Sequence, residues 1–191
     1  MGRVSQAQAA ENRERIVTTA ARLFRERGIS GVSVADVTAE AGLTHGGFYK
    51  HFASKDALVA EAVIRAFAEQ AAALGDTASP AALIDAYLSA GHRDEPGSGC
   101  PSAGFGGDVA RSGGGDATRR AYAAGVEGFA GYLSGGAQPH RPGGETDAGL
   151  ATLSTMVGAL ILSRATAGTA LSDRILAAAR RSLDQDGSDQ R

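Results

Sequence analysis

The sequence predicts an all-α fold, with a small three-helix head that carries a helix-turn-helix and a larger helical body, about nine helices in all. Three observations predict it. Apolar residues recur at spacings of three and four through most of the chain. Glycine, proline, serine and threonine fall between those stretches, where helices stop and start. No segment alternates in the manner of a half-buried strand, and there is no internal repeat.

The head is expected over 10–70, with its motif at about 33–52, and the body over 71–191. The first ten residues are small and polar and are expected to fray. A helix then spans Glu11 to Arg27, with Ile16, Val17, Ala20, Leu23 and Phe24 as its apolar stripe. Gly28 suits a left-handed cap, and Ile29 can fold back on the last turn. Ser33 opens the second helix, with Asp36 three residues on in a capping-box pattern. Gly42 ends that helix in a tight turn, and Leu43 is its apolar plug.

The stretch Leu43 to Asp56, LTHGGFYKHFASKD, is the centre of the head. Thr44 is placed to cap a helix running to about His51. Phe48 and Phe52, four apart, share its inward face. Tyr49, Lys50 and His51 project elsewhere, and His45 stands at the opening. Gly46 and Gly47 fall in the first turn, where each costs up to about 1 kcal/mol against alanine. Bare backbone, free N–H donors and cationic or phenolic tips suit a polyanion such as DNA. Two short helices joined by a glycine turn make a helix-turn-helix.

Six further helices follow. The fourth starts after its Ser54 cap and reaches about Leu74, and would link head and body. The fifth runs from Pro80 to Gly91, and the sixth from Pro101 to about Arg111. That sixth helix lies inside a region, Gly97 to Gly115, with eight glycines in 19 residues. The seventh covers Asp116 to Leu133. A Gly- and Pro-rich loop spans Ser134 to Gly144. The eighth, Glu145 to Gly168, is the most apolar, which fits either a partner surface or a central core helix. The ninth covers Ser172 to Leu183, and a polar tail starts at Asp184.

Bulk properties agree with a folded, unstapled protein. The 191 residues carry a net charge of −2. Residues 1–55 hold eight Lys/Arg against five Asp/Glu, and the remainder is acidic. A basic head on an acidic body is compatible with nucleic-acid binding by the head. Cys100 is the single cysteine, so no intramolecular disulfide framework exists. No charged region followed by an apolar run opens the chain, and the longest apolar stretch, Leu150 to Leu162, is 13 residues. A soluble cytoplasmic protein with no membrane partner is the expectation.

Enzyme motifs are missing. His92-Arg93-Asp94 begins like a kinase catalytic loop but lacks the residues that should follow. Gly104-Phe105-Gly106-Gly107 has neither the spacing nor the strand of a phosphate-binding loop. The four histidines lack metal-ligand spacing, so no metal site, cofactor or catalytic residue is expected.

The segments GISGVSV and AEAGLTHGGFYKHFASKDAL, with the capped helix before them, resemble the N-terminal pattern of the TetR family of bacterial repressors over about residues 11–70. The body resembles that family only in length and helical character. The resemblance implies a homodimeric repressor on a palindromic double-stranded DNA operator, released by a small-molecule inducer. It implies that the last two long helices, about 145–183, pair across the dimer. By matching position, Thr44, Tyr49, His51 and Lys55 would meet phosphates, with Ser33 adding a contact. His45 and Lys50, and the backbone at Gly46 and Gly47, would face base edges. His45 stands where the family often has Lys or Arg. A non-regulatory DNA-packaging protein with a similar head is the alternative, though it would have no need of so long an acidic body.

For a ligand pocket, the candidates are Phe67, Tyr87, Phe105, Tyr122, Phe129 and Met156, which could equally be ordinary core residues. Cys100 precedes Pro101 at the start of a helix, the setting of reactive thiols. Gly99-Cys100-Pro101 also resembles a subgroup of the family, some members of which respond to reactive compounds. Cys100 is therefore either a thiol sensor or a small buried hydrophobe.

Overall fold

The computed structural model describes residues 6–75, 79–111, 114–135 and 146–189. Every regular element among them is helical: α1 (Gln6–Arg27), α2 (Val34–Glu40), α3 (His45–Phe48), α4 (Lys55–Gly75), α5 (Pro80–Tyr87), α6 (Ala90–Asp94), α7 (Pro101–Ala110), α8 (Gly115–Leu133), α9 (Asp147–Ala165) and α10 (Ala170–Asp189). The expected all-α class holds, with ten helices among the described residues where nine were expected. Most of the expected loop at Ser134 to Gly144 lies outside the described residues.

The head assembles from its caps. Gly28 and Gly42 have φ of 76° and 67°, the left-handed conformation that the sequence demanded of them. Ser33 and Asp36 close a reciprocal capping box, Ser33 N–H donating to Asp36 Oδ2 at 2.7 Å and Asp36 N–H to Ser33 Oγ at 3.1 Å. Those bonds hold the Asp36 carboxyl below its usual range, the Ser33 hydroxyl contributing most. Ser54 Oγ accepts from Ala57 N–H and starts α4.

Several boundaries differ from expectation. α1 starts at Gln6, five residues early, because Gln8 Nε2 reaches Glu11 and Asn12 across the first turns. α3 is only four residues long; beyond it single turns continue through His51 N–H to Phe48 O at 2.8 Å and Phe52 N–H to Phe48 O at 3.0 Å. The fifth helix is two helices. Ser89 breaks it by donating to Ala86 O and capping His92 N–H. α10 runs on through the polar segment to Asp189.

Two apolar clusters form the interior. The first joins Phe24, Val37, Phe48, Phe52, Leu58 and Val63 of the head, and Phe105 and Val109 of α7 complete it. The second lies in the body around Leu88, Phe129, Met156 and Leu160. The head core is thus closed by an element of the body. α7 gets this close because its glycines are bare: a Cβ at Gly104 would lie 2.9 Å from Arg25 Cγ, and one at Gly106 2.8 Å from Tyr122 Oη.

α9 is long and apolar enough, by length and composition, to cross a membrane. It packs against α8 and α10, burying Leu153, Met156 and Leu160. Ile161 and Leu162 remain exposed on its outer side.

Candidate nucleic-acid interface and the cavity behind it

The tip of the head has a rigid base and an exposed polar surface. Phe48 is fully buried and Phe52 nearly so; their rings stack with centroids 5.4 Å apart. The Arg13 guanidinium covers the Phe52 ring at 4.8 Å. On this base, Thr44, His45, Gly46, Tyr49 and Lys50 are exposed, while Gly47 and His51 are half-buried. Tyr49 is 62% exposed, and its ring is held edge-on by both His45 and Phe48. An exposed phenol braced by two rings presents its hydroxyl in a narrow range of positions. Thr44 occupies the N-cap position of α3 but makes no side-chain capping bond, contrary to the expected cap.

Two residues assigned to DNA have bonds within the head. The Ser33 hydroxyl, though exposed, is engaged in the capping box. The Lys55 ammonium donates to Ile29 O at 2.6 Å and lies 5.8 Å from the centre of the Phe24 ring. Lys55 therefore ties α4 to the turn between α1 and α2.

Behind the head lies a cavity of about 310 Å³. Tyr87, a candidate for the pocket lining, and Cys100, the candidate sensor, both lie on its wall. The other candidates do not. Phe105 belongs to the head core, and Phe129 and Met156 to the body core. Phe67 packs edge-on against Tyr122, whose hydroxyl donates to Ser102 O at 2.8 Å. Burial, with the nearby Cys100 adding to it, pushes the Tyr122 phenol up to about 12.

Sequence reasoning missed the polar residues of the wall. Arg25, on α1 of the head, is 8% exposed; it donates to Gly99 O at 3.3 Å and to Glu69 Oε2 at 2.9 Å. Gln70 Nε2 donates to Cys100 Sγ at 3.5 Å. His92 donates through Nδ1 to Tyr87 O at 2.8 Å, and its Nε2 accepts the Cys100 N–H at 3.0 Å. Burial lowers the His92 pKa, and Arg164 lowers it further, so the imidazole is neutral near pH 7. Burial also pushes the Tyr87 phenol well above its ordinary value. Their only sequence signal was position: Arg25 lies beside the apolar stripe of the first helix, and His92 just beyond the fifth. Among the described residues, no cluster of His, Cys, Asp and Glu could hold a metal ion.

The family model described as bacterial regulatory proteins, tetR family, matches residues 16–62, which span the capped helices and the exposed tip. Over these residues the chain matches the TetR family. The similarity to curated relatives runs over short stretches of this chain. It is 40% identical over 52 residues to the uncharacterized HTH-type transcriptional regulator YerO of Bacillus subtilis, 27% of this chain and 18% of that one. It is 38% identical over 61 residues to the HTH-type transcriptional regulator AcrR of Shigella flexneri, 32% and 28% of the two chains. The chain thus spans less than a third of the length of these relatives. Among solved structures, E. coli NemR in its reduced form covers 90% of this chain and 96% of its own at a TM-score of 0.68 and 19% identity. A TetR transcriptional regulator from Chloroflexus aurantiacus covers 94% and 98%, with a TM-score of 0.68 and 23% identity. These likenesses extend the family's fold over the body.

Proposed function

We propose that this TetR-family protein is a cytoplasmic transcriptional repressor that binds a palindromic operator as a homodimer and leaves it when an inducer occupies the cavity. The observation that carries the reading is the exposed tip: His45, Tyr49 and Lys50 face solvent on a stacked, buried aromatic base. Thr44, Tyr49 and His51 would bind phosphates and set the register, with Ser33 and Lys55 at the edges of the contact. Lys50 and His45 would reach base edges, and Gly46 and Gly47 would let the backbone approach.

Operator binding by two heads needs them about 34–36 Å apart, one helical turn of DNA. The partner surface in this reading is the outer side of α9 with α10, where Ile161, Leu162 and Leu171 are 43%, 57% and 47% exposed. Release follows only if the inducer binds the DNA-free spacing better than the DNA-bound one. Arg25 gives it a route, since this residue of the head is also part of the cavity wall. The inducer is either a small molecule held in the cavity or a thiol-reactive compound that modifies Cys100.

The test is DNA binding to the promoter regions beside the protein's own gene, with and without diamide or a quinone, for wild type and Cys100→Ser. Specific binding lost on treatment in the wild type alone supports both the repressor and the thiol sensor. Specific binding indifferent to treatment removes the sensor and leaves a non-covalent inducer. A protein that coats DNA without a defined footprint is not this repressor.

A further inference from the structure

The wall chemistry of the cavity behind the head selects a class of ligand. The space of about 310 Å³ has room for roughly ten water-sized groups. Ala73, Leu74, Leu83 and Ala86 make part of the lining apolar. The charges present cancel locally: Arg25 is paired with Glu69 at 2.9 Å, and both nitrogens of the neutral His92 are engaged. Nothing on this wall compensates a net charge on a guest, and bringing an ion out of water without a partner is costly.

Two polar atoms of the lining residues have no hydrogen-bond partner: the Tyr87 hydroxyl and the Gln70 side-chain oxygen. Both atoms are buried, and Tyr87 as a residue is 4% exposed. The Cys100 thiol lies beside the Tyr87 phenol and helps to raise its pKa, a weak sulfur contact that leaves the hydroxyl without a nitrogen or oxygen partner. Gln70 has turned its amide nitrogen to the same thiol, which leaves its oxygen unmatched. Buried polar groups are rarely left unpaired, and each exception calls for an occupant or a role. Tyr87 has a hydrogen to donate; Gln70 has a lone pair to fill.

We infer that the cavity takes a small, neutral, largely apolar molecule that carries a hydrogen-bond acceptor and a donor close together, as a carboxamide or lactam does, with Tyr87 donating to its carbonyl and Gln70 accepting its N–H. This rests on the reading of the protein as a ligand-released regulator and gives that ligand a chemistry. The ligand's contact with Tyr87 and Gln70 engages the two side chains next to Cys100. It also lies against Arg25, so its presence is felt by α1.

The probes are benzamide, with both groups; acetophenone, with the acceptor alone; ethylbenzene, with neither; and benzoate, which is charged. Titration calorimetry on the full chain is run for wild type, Tyr87→Phe and Gln70→Met. Wild type should prefer benzamide over ethylbenzene and benzoate. Loss of one hydrogen bond should cost benzamide about tenfold in each variant. Acetophenone should lose affinity in Tyr87→Phe and not in Gln70→Met. Tyr87→Phe should melt no lower than wild type, because the hydroxyl it removes is buried without a partner, so a weakened benzamide titration there is not a folding defect. Benzamide binding that ignores both substitutions, benzoate or ethylbenzene binding as tightly as benzamide, or no benzamide binding at millimolar concentration each overturns the inference.

A footprint assay with the same proteins separates this inference from the reading beneath it. Specific DNA binding without benzamide recognition removes the ligand class and leaves the regulator. Benzamide recognition through Tyr87 and Gln70 without specific DNA binding removes the regulator and leaves the site.

Discussion

The carboxylate of Asp108 accepts the backbone N–H of Ile29 at 2.7 Å. Asp108 lies near the end of α7, and Ile29 in the turn between α1 and α2. The other end of α7 begins at Cys100, on the cavity wall. One ten-residue helix therefore touches the cavity at its first turn and the head at its last. Lys55 bonds to Ile29 O from the other side, so the backbone of this single residue joins α7, α4 and the head. α7 therefore links head and body alongside α4.

Asp108→Ala removes a charged acceptor and leaves a buried N–H unpaired. The expected cost is about 1.5–3 kcal/mol. At roughly 2–4 °C per kcal/mol for a chain of this size, the melting temperature should fall by several degrees. In the proposed repressor, the same substitution should also reduce the effect of any inducer on DNA affinity. Thermal melting followed by circular dichroism tests the first part; an unchanged midpoint would show that water replaces the carboxylate.

Acid should loosen the cavity through His92. Its folded pKa is lowered, chiefly by burial, so the unfolded chain binds the proton first as the pH falls below about 6.5. Stability from this residue is complete above that pH and is lost progressively below it. Protonation also destroys the Nε2 lone pair that accepts the Cys100 N–H. Melting temperatures of wild type should therefore drop between about pH 6.5 and 5 more steeply than those of His92→Gln. Parallel curves for the two proteins would remove His92 from the pH response.

The head was legible because its determinants are local. A capping box, two left-handed glycines and an aromatic pair each act over a few residues, and Gly28, Gly42, Phe48 and Phe52 all stand where pattern alone predicted. The cavity was not legible. Its walls join residues far apart in sequence, such as Arg25 with Gly99, and no periodicity signals that approach. Large apolar side chains were a poor guide to it, since Phe105, Phe129 and Met156 serve the cores. By propensity alone the glycines of α7 count against a helix there. They are better understood from contact distances with Arg25 and Tyr122.

Gly125 makes the same point as a substitution. A Cβ at this position on α8 would lie 2.3 Å from the Phe67 ring of α4. Gly125→Ala gains helix propensity of up to about 1 kcal/mol and loses it to overpacking, which costs about 1–3 kcal/mol in a well-filled core. The net expectation is a lower denaturation midpoint in urea with an unchanged slope. A rise in the midpoint would mean that the α4–α8 contact yields easily.

Lys50 and Lys55 should separate when each is removed. Lys50 is exposed; Lys50→Ala should leave the melting temperature alone and change the ranking of operator variants in a competition assay. Lys55 holds Ile29 O and the face of Phe24. Lys55→Met should lower the melting temperature. If two ammonium hydrogens also serve a phosphate, it should flatten the salt dependence of binding by about 0.9 log unit per log unit of salt. A lower melting temperature with an unchanged salt slope assigns Lys55 to the architecture of the head alone.

The outer side of α9 offers the last prediction. Leu162 is 57% exposed and Ile161 43%, next to Gly158, whose missing side chain would meet nothing within 4 Å. The buried side of the same helix is already satisfied by Leu153, Met156 and Leu160. Apolar residues that add nothing to the protomer core are stabilised only by a partner surface. A symmetric dimer would place this patch against itself or α10 of a second copy, repeating each contact twice. Leu162→Glu therefore introduces two charges into the proposed interface and none into the core. Sedimentation should show a dimer for wild type and a monomer for the variant, with helical content unchanged. Operator affinity should fall with dimerisation, while the isolated head contacts stay intact. A variant that sediments as wild type places the dimer interface elsewhere.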